Sequence, residues 1–126
     1  MSSETIAIAA DHGGVGLKRA LAGVLRENGL DVLDLGTGDE ASVDYPDYAA
    51  KVVEAIADGR AKRGILLCGS GIGMSIAANR HAGIRAALVH DVEMAQLCRQ
   101  HNDANVLVMA GRLIDDETAI ACLDVF

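Results

Sequence analysis

The stretch "GILLCGSGIGMS", residues 64–75, runs a short apolar segment into a cysteine, Cys68, and then into glycines at alternate positions, Gly69, Gly71 and Gly73. A short apolar run bounded by glycine reads as a buried strand. The following "GMSIAAN" has helical spacing, so a short helix is expected to begin near Ile72. A strand that passes through a glycine loop into a helix is the repeating unit of an α/β protein with a parallel sheet.

The same alternation extends to both ends of the chain. "TIAIAA" (5–10), "DVLDLG" (31–36), "IRAALV" (84–89) and "NVLVMAG" (105–111) read as four further strands around "GILLCG" (64–69). Between them lie segments of helical period. Leu17, Leu21, Val24 and Leu25 form one, ended by Asn28 and Gly29. Tyr48, Val52 and Ile56 form another, with Pro46 suited to its first position. Asp91 can cap a helix through "VEMAQLCRQHN", and Asp115 or Asp116 can cap the last one. Strands alternating with helices imply βαβ units, a five-stranded parallel sheet and helices on both of its faces. The strand order 2-1-3-4-5 then sets the fourth strand between the third and the fifth. No repeat, linker or low-complexity tract divides the 126 residues, so one domain spanning 1–126 is expected.

Composition narrows the function. Net charge is −7 and aromatic content only 2%, which argues against nucleic-acid and anionic-membrane surfaces. No apolar run exceeds five residues, so no transmembrane helix is expected. "MSSETIAIAADH" lacks the basic and apolar regions of a signal peptide, and cytoplasmic residence is the default. Cys68, Cys98 and Cys122 are odd in number and widely spaced, and read as free thiols. There is no CxxC, and no paired-ligand spacing supports a metal site from His12, Cys68 and His101.

Ligands of parallel sheets bind at the carboxyl ends of the strands, so the residues after each strand are the candidates. After the third come Cys68 and the glycines. Glycine lets the backbone approach a ligand closely, and the helix start near Ile72 supplies free N–H groups and a positive dipole end. That end favours a thiolate at Cys68, which would serve as base or nucleophile, while the amides would hold an oxyanion. A buried, inert cysteine beside a structural glycine turn fits the spacing equally well. The glycines do not make the dinucleotide-binding GxGxxG pattern. After the first strand, Asp11 and His12 bring a carboxylate and an imidazole, although Asp11 as a helix N-cap is the simpler reading. Met94, Leu97 or Cys98, and His101 share an apolar helical face, so His101 is expected to point inward near the loop carrying Asn102. Arg112, after the fifth strand, suits bidentate phosphate binding. His81 and His90 read as surface residues.

Taken together, "AADHGG", "DYPDYA", "GILLCGSGIGMSIAANR", "GIRAAL" and "RQHNDANVLVMAGR" resemble the B-type ribose-5-phosphate isomerases, whose family includes the galactose-6-phosphate isomerase subunits. The resemblance implies a three-layer αβα sandwich of flavodoxin-like (Rossmann-like) type and an aldose–ketose isomerase of carbohydrate metabolism, in the pentose phosphate pathway. It implies a homodimer or tetramer with shared active sites and no metal or other cofactor. Cys68 then matches the base that moves a proton between C2 and C1 of the sugar phosphate. Gly69, Gly71 and Gly73 match the anion hole for the enediolate, and Ser70 with His101 matches the ring-opening pair. Asp11 and Tyr45 match sugar-hydroxyl contacts, His12 and Arg112 phosphate contacts, and Asn102 an enediolate contact. The 101–112 segment is expected to serve a neighbouring subunit. The family commonly continues into a basic tail beyond the last helix, whereas this chain stops at "CLDVF". Ribose 5-phosphate and ribulose 5-phosphate are the leading substrate pair. Allose 6-phosphate, galactose 6-phosphate and tetrose phosphates would use the same groups. A cysteine hydrolase or transferase using Cys68 and His101, or a non-catalytic sugar-phosphate sensor, is the alternative of another class.

Overall fold

The computed structural model describes residues 4–36 and 45–126, the side chain of Tyr45 excepted. Among these residues, β1 (Thr5–Ala10), α1 (Val15–Glu27), β2 (Asp31–Asp34), α2 (Tyr45–Ala57), β3 (Arg63–Cys68), α3 (Ile72–Asn79), β4 (Ala86–Leu88), α4 (Val92–Gln100), β5 (Val106–Ala110) and α5 (Asp116–Val125) alternate without exception. All strand pairs are parallel.

Alternate residues of each strand point to opposite faces of the sheet. Ile6 and Ile8 of β1, Ile65 and Leu67 of β3, and Leu107 and Met109 of β5 face one side, with Leu17, Leu21 and Leu25 of α1, Cys98 of α4 and Cys122 of α5. Ala7, Ala9, Leu66, Val106 and Val108 face the other, with Val52 and Val53 of α2 and Met74 of α3. Both faces are therefore covered, which makes the expected three layers. Full burial of a side chain such as Ile8 or Leu107 contributes about 1.5–3 kcal/mol.

The sheet order is β2-β1-β3-β5-β4, not the expected 2-1-3-4-5. β5 lies directly against β3, with Cys68 paired to Ala110, and β4 is displaced to the edge. The reason lies in burial. Every residue of β5 is buried, as a central strand requires, whereas the three residues of β4 are only half-buried. β4 is also shorter than the expected 84–89. Asn79 pairs through its side-chain amide with both the N–H and the C=O of Ala86, at 2.8 and 2.9 Å, and so covers the open edge of that strand. β2 stops at Asp34, whose carboxylate turns the chain by accepting from Gly36 N at 3.0 Å and from Lys18 Nζ at 2.7 Å.

Helix ends follow local chemistry. Asp91 accepts from Met94 N at 2.8 Å and Asp115 from Thr118 N at 2.7 Å, both as N-caps. The expected inward stripe on α4 is corrected. Ala95 and Cys98 face the sheet, while Met94 and Leu97 are 38% and 40% exposed. His101 is exposed as well, because it is already the C-cap, at φ −110°, where the chain leaves the helix.

Candidate active site

Three strand ends meet at the carboxyl edge of the sheet. Asp11 N donates to Leu67 O at 3.0 Å, Gly111 N to Cys68 O at 2.6 Å, and Arg112 N to Gly69 O at 3.1 Å. These bonds join the exits of β1, β3 and β5 into one floor. The approach is close enough to demand glycine. A Cβ on Gly111 would stand 2.6 Å from Gly13 O, and one on Gly14 would stand 2.8 Å from Leu67 O. A cleft of about 390 Å³ opens over this floor, lined by Asp11, Cys68, Gly69, Ser70, Gly73, Arg112 and Leu113.

Cys68 is the last residue of β3 and only 4% exposed. Gly71, the N-cap of α3, holds φ at +79° and turns its N–H toward the Cys68 sulfur at 3.0 Å. This bond fixes the direction of the sulfur at the start of α3. Ile72 N donates to Ser70 Oγ at 3.3 Å, and the remaining first-turn amides of α3 have no partner within the helix, as at any helix start. A soft base, a row of amide donors and the positive end of a helix thus lie within a few residues of each other. The other two cysteines belong to α4 and α5 and pack into the core. Burial pushes the Cys98 thiol up, with Arg99 opposing it, and burial followed by Asp91 and Cys98 pushes Cys122 up.

Asp11 is 8% exposed, and its Oδ1 accepts from Gly13 N at 2.8 Å. It is not the cap of α1, whose N-cap is Gly14. His12 follows it and is half-buried. The Arg112 guanidinium lies against Gly69, with Nη1 3.2 Å from where a Cβ on that glycine would stand, so Arg112, although part of the 101–112 segment expected to serve a neighbour, lines the cleft of its own chain. This contact exists because β5 neighbours β3. With β4 between them, Arg112 would have stood a strand further away. The contact expected of Tyr45 lies outside the described side chains. Leu113, which is 73% exposed, was not singled out by the sequence, because nothing in its local pattern separates it from an ordinary surface leucine.

His101 and Asn102 are not brought to this cleft. They precede β5, at the amino edge of the sheet, whereas Cys68 pairs with the last residue of that strand. Four residue steps of strand, roughly 13 Å, separate the two edges. A larger cleft of about 440 Å³ lies at the amino edge, lined by Lys62, Arg63, Arg85 and Arg99 with Glu4 and Asp103, and contains neither a nucleophile nor a helix start. Among the described residues no group of three or more His, Cys, Asp and Glu is placed to hold a metal ion, and no helix is long and apolar enough to cross a membrane.

The family model for ribose/galactose isomerases matches residues 6–126. Among solved structures, the chain is similar to a ribose 5-phosphate isomerase from Thermotoga maritima, at 54% identity and a TM-score of 0.97, over 99% of this chain and 86% of that one. It is similar also to ribose-5-phosphate isomerase B from Mycoplasma genitalium with bound ribulose-5-phosphate, at 40% identity and a TM-score of 0.94, over 100% and 84%. A curated relative, D-erythrulose-4-phosphate isomerase of Pectobacterium atrosepticum, is 45% identical over 91% of this chain and 76% of its own length.

Proposed function

The chain belongs to the ribose/galactose isomerase family, and on that premise we propose that it interconverts ribose 5-phosphate and ribulose 5-phosphate through an enediolate. The observation that carries the reading is the Cys68 sulfur held at 3.0 Å by the Gly71 amide, at the foot of α3 and inside the cleft. Taking a proton from carbon beside a carbonyl creates an oxyanion, so base and oxyanion donors must be adjacent. Cys68 takes the proton from C2 of the open-chain aldose as the C1 carbonyl oxygen gains charge. It returns that proton to C1 while the C2 hydroxyl proton passes to the C1 oxygen, which leaves the ketone at C2 and a hydroxyl at C1. The loop from Gly69 to Gly73 holds the charged oxygen throughout. Asp11 and Tyr45 hold sugar hydroxyls, and His12 and Arg112 hold the phosphate. No metal or other cofactor enters the reaction.

Ser70 and His101 open the sugar ring, and Asn102 contacts the enediolate. His101 and Asn102 lie at the far edge of the sheet from their own Cys68, so in this reading they serve the cleft of a second copy. The active form is then a homodimer, or a tetramer built from such dimers, in the cytoplasm. Ile72 and Ile76, 55% and 58% exposed one turn apart on α3 beside the cleft, are apolar surface of the kind a second copy covers.

A tetrose phosphate is the second substrate reading. The erythrulose-phosphate relative falls between the two ribose-phosphate structures in identity, at 45% against 54% and 40%. A panel of phosphorylated pentoses, hexoses and tetroses, assayed for conversion of aldose to ketose, tests both. The expected result is the highest kcat/KM for ribose 5-phosphate. A higher value for another sugar phosphate transfers the substrate to that sugar. Binding without turnover of any would leave a sensor, and a trapped covalent adduct on Cys68 would leave a cysteine hydrolase or transferase.

A further inference from the structure

The turn after α4 carries His101 and Asn102 on the surface, yet it is held from two sides. From its own helix, Arg99 Nη1 donates to Ala104 O at 2.7 Å and pairs with Asp103 at 3.6 Å. From the edge of the sheet, Arg85 Nη1 donates to Asn102 O at 3.2 Å. Asn105 joins the two segments. Its Oδ1 accepts from Arg85 N at 2.9 Å, and its Nδ2 donates to Gly83 O at 2.9 Å. Between these anchors Asp103 sits at φ +49°, a conformation that non-glycine residues hold where the surroundings over-determine it. Exposed loop tips are ordinarily left loose. Two guanidinium groups and an asparagine amide here fix a turn that has no reaction centre of its own chain nearby.

We propose that Arg85 and Asn105 are positioning residues for the isomerisation, setting the His101–Asn102 turn in the attitude in which it enters the cleft of a second copy. The proposal rests on the shared-site reading given above. A side chain delivered across an interface is effective only if it arrives already oriented, since ordering it on association costs affinity and misplacement costs rate. Arg99 steadies the turn from within the same helix. Arg85 and Asn105 tie it to the segment that leads into β4, a separate part of the chain, and so set its direction relative to the sheet. Neither residue touches the substrate, and both act through Asn102 and His101.

The test uses mixed dimers purified through two different tags. One subunit carries Cys68→Ala and lends its intact His101; the other carries His101→Ala and lends its intact Cys68. One complete site per dimer is expected. Arg85→Gln is then added to one subunit or the other. On the subunit that lends His101 it is expected to lower the recovered kcat by about 10- to 100-fold, the cost of a small misplacement. On the subunit that lends Cys68 it is expected to leave the recovered rate close to that of the parental mixed dimer. Asn105→Asp, which keeps the acceptor for Arg85 N and loses the donor to Gly83 O, should show the same asymmetry. If Arg85→Gln fails to fold, as its melting curve would show, Asn105→Asp and Arg85→Lys carry the comparison. Equal losses in both placements, or none in either, overturn the positioning role while leaving the shared site intact. A parental mixed dimer without activity overturns the shared site itself, and the role of Arg85 and Asn105 with it.

Discussion

Gly71 donates its backbone N–H to the Cys68 sulfur across 3.0 Å, from a φ of +79° that only glycine adopts without strain. One residue therefore ends the loop after β3, caps α3 and fixes the sulfur. Secondary structure and chemistry are coupled at this point, and the coupling can be probed from either partner.

Removing the base tests the chemical role. Cys68→Ala is expected to lower kcat by about 10²- to 10⁴-fold, the usual span for losing a general base, with KM little changed. Cys98→Ala and Cys122→Ala should keep the rate and lose on the order of 1 kcal/mol of stability through small cavities. Steady-state kinetics on the three purified variants decide the matter. More than half the activity remaining in Cys68→Ala would remove Cys68 from the mechanism.

Removing the donor's freedom tests the geometry. In Gly71→Ala the new Cβ would run into Leu88 Cδ1 and meet the Met109 carbonyl carbon at 3.3 Å, in addition to the strained φ. A loss of about 1–3 kcal/mol in stability is expected from the backbone strain. The amide would also move off the sulfur, so kcat should fall more than melting temperature alone accounts for. A variant that is destabilised but turns over normally when folded would show that the Gly71 amide has no part in the chemistry.

Arg112 is expected to act on the phosphate rather than on the reacting carbons. Arg112→Ala should reduce kcat/KM for a phosphorylated aldose by about 10- to 100-fold, corresponding to the loss of a charged hydrogen bond of about 1.5–3 kcal/mol. The slow reaction of the unphosphorylated sugar should be unchanged. Arg112→Lys should recover only part of the loss, because an ammonium cannot form the planar two-point contact. Equal losses on both sugars would assign Arg112 another task.

The Lys18–Asp34 pair should appear in the acid limb of stability. Burial raises the Asp34 carboxyl, but hydrogen bonds from Lys18 and the Gly36 amide, with the charges of Lys18 and Arg26, hold it below its ordinary value. A carboxyl lowered in the folded state contributes stability that is complete above its unfolded pKa and is lost as pH falls through the folded one. Asp34→Asn should therefore cost about 1–2 kcal/mol at neutral pH, discounted for a side chain that is 39% exposed, and nothing in strong acid. Denaturant titrations of both proteins over a pH series would reveal the convergence. A constant gap at every pH would contradict it.

Much of this architecture is carried by short-range signals. The residue order alone determined the alternation of strands and helices, the cap at Asp91, a cap at Asp115 or Asp116 of which the structure takes Asp115, the end of α1 at Asn28 and Gly29, and the juxtaposition of Cys68 with a helix start. Each of these depends on side-chain periodicity or on hydrogen bonds reaching only a few residues along the chain. Only the tertiary structure decided that β5 rather than β4 lies beside β3, because both strands are apolar and their order depends on which of them the two helical layers bury completely. That choice brings Arg112 against Gly69 and joins Gly111 to Cys68. The outward position of His101 was likewise not legible. Helical spacing relates residues of one face to each other, but which face meets the sheet is set by packing, and here Ala95 and Cys98 take it while His101 leaves the helix at its cap.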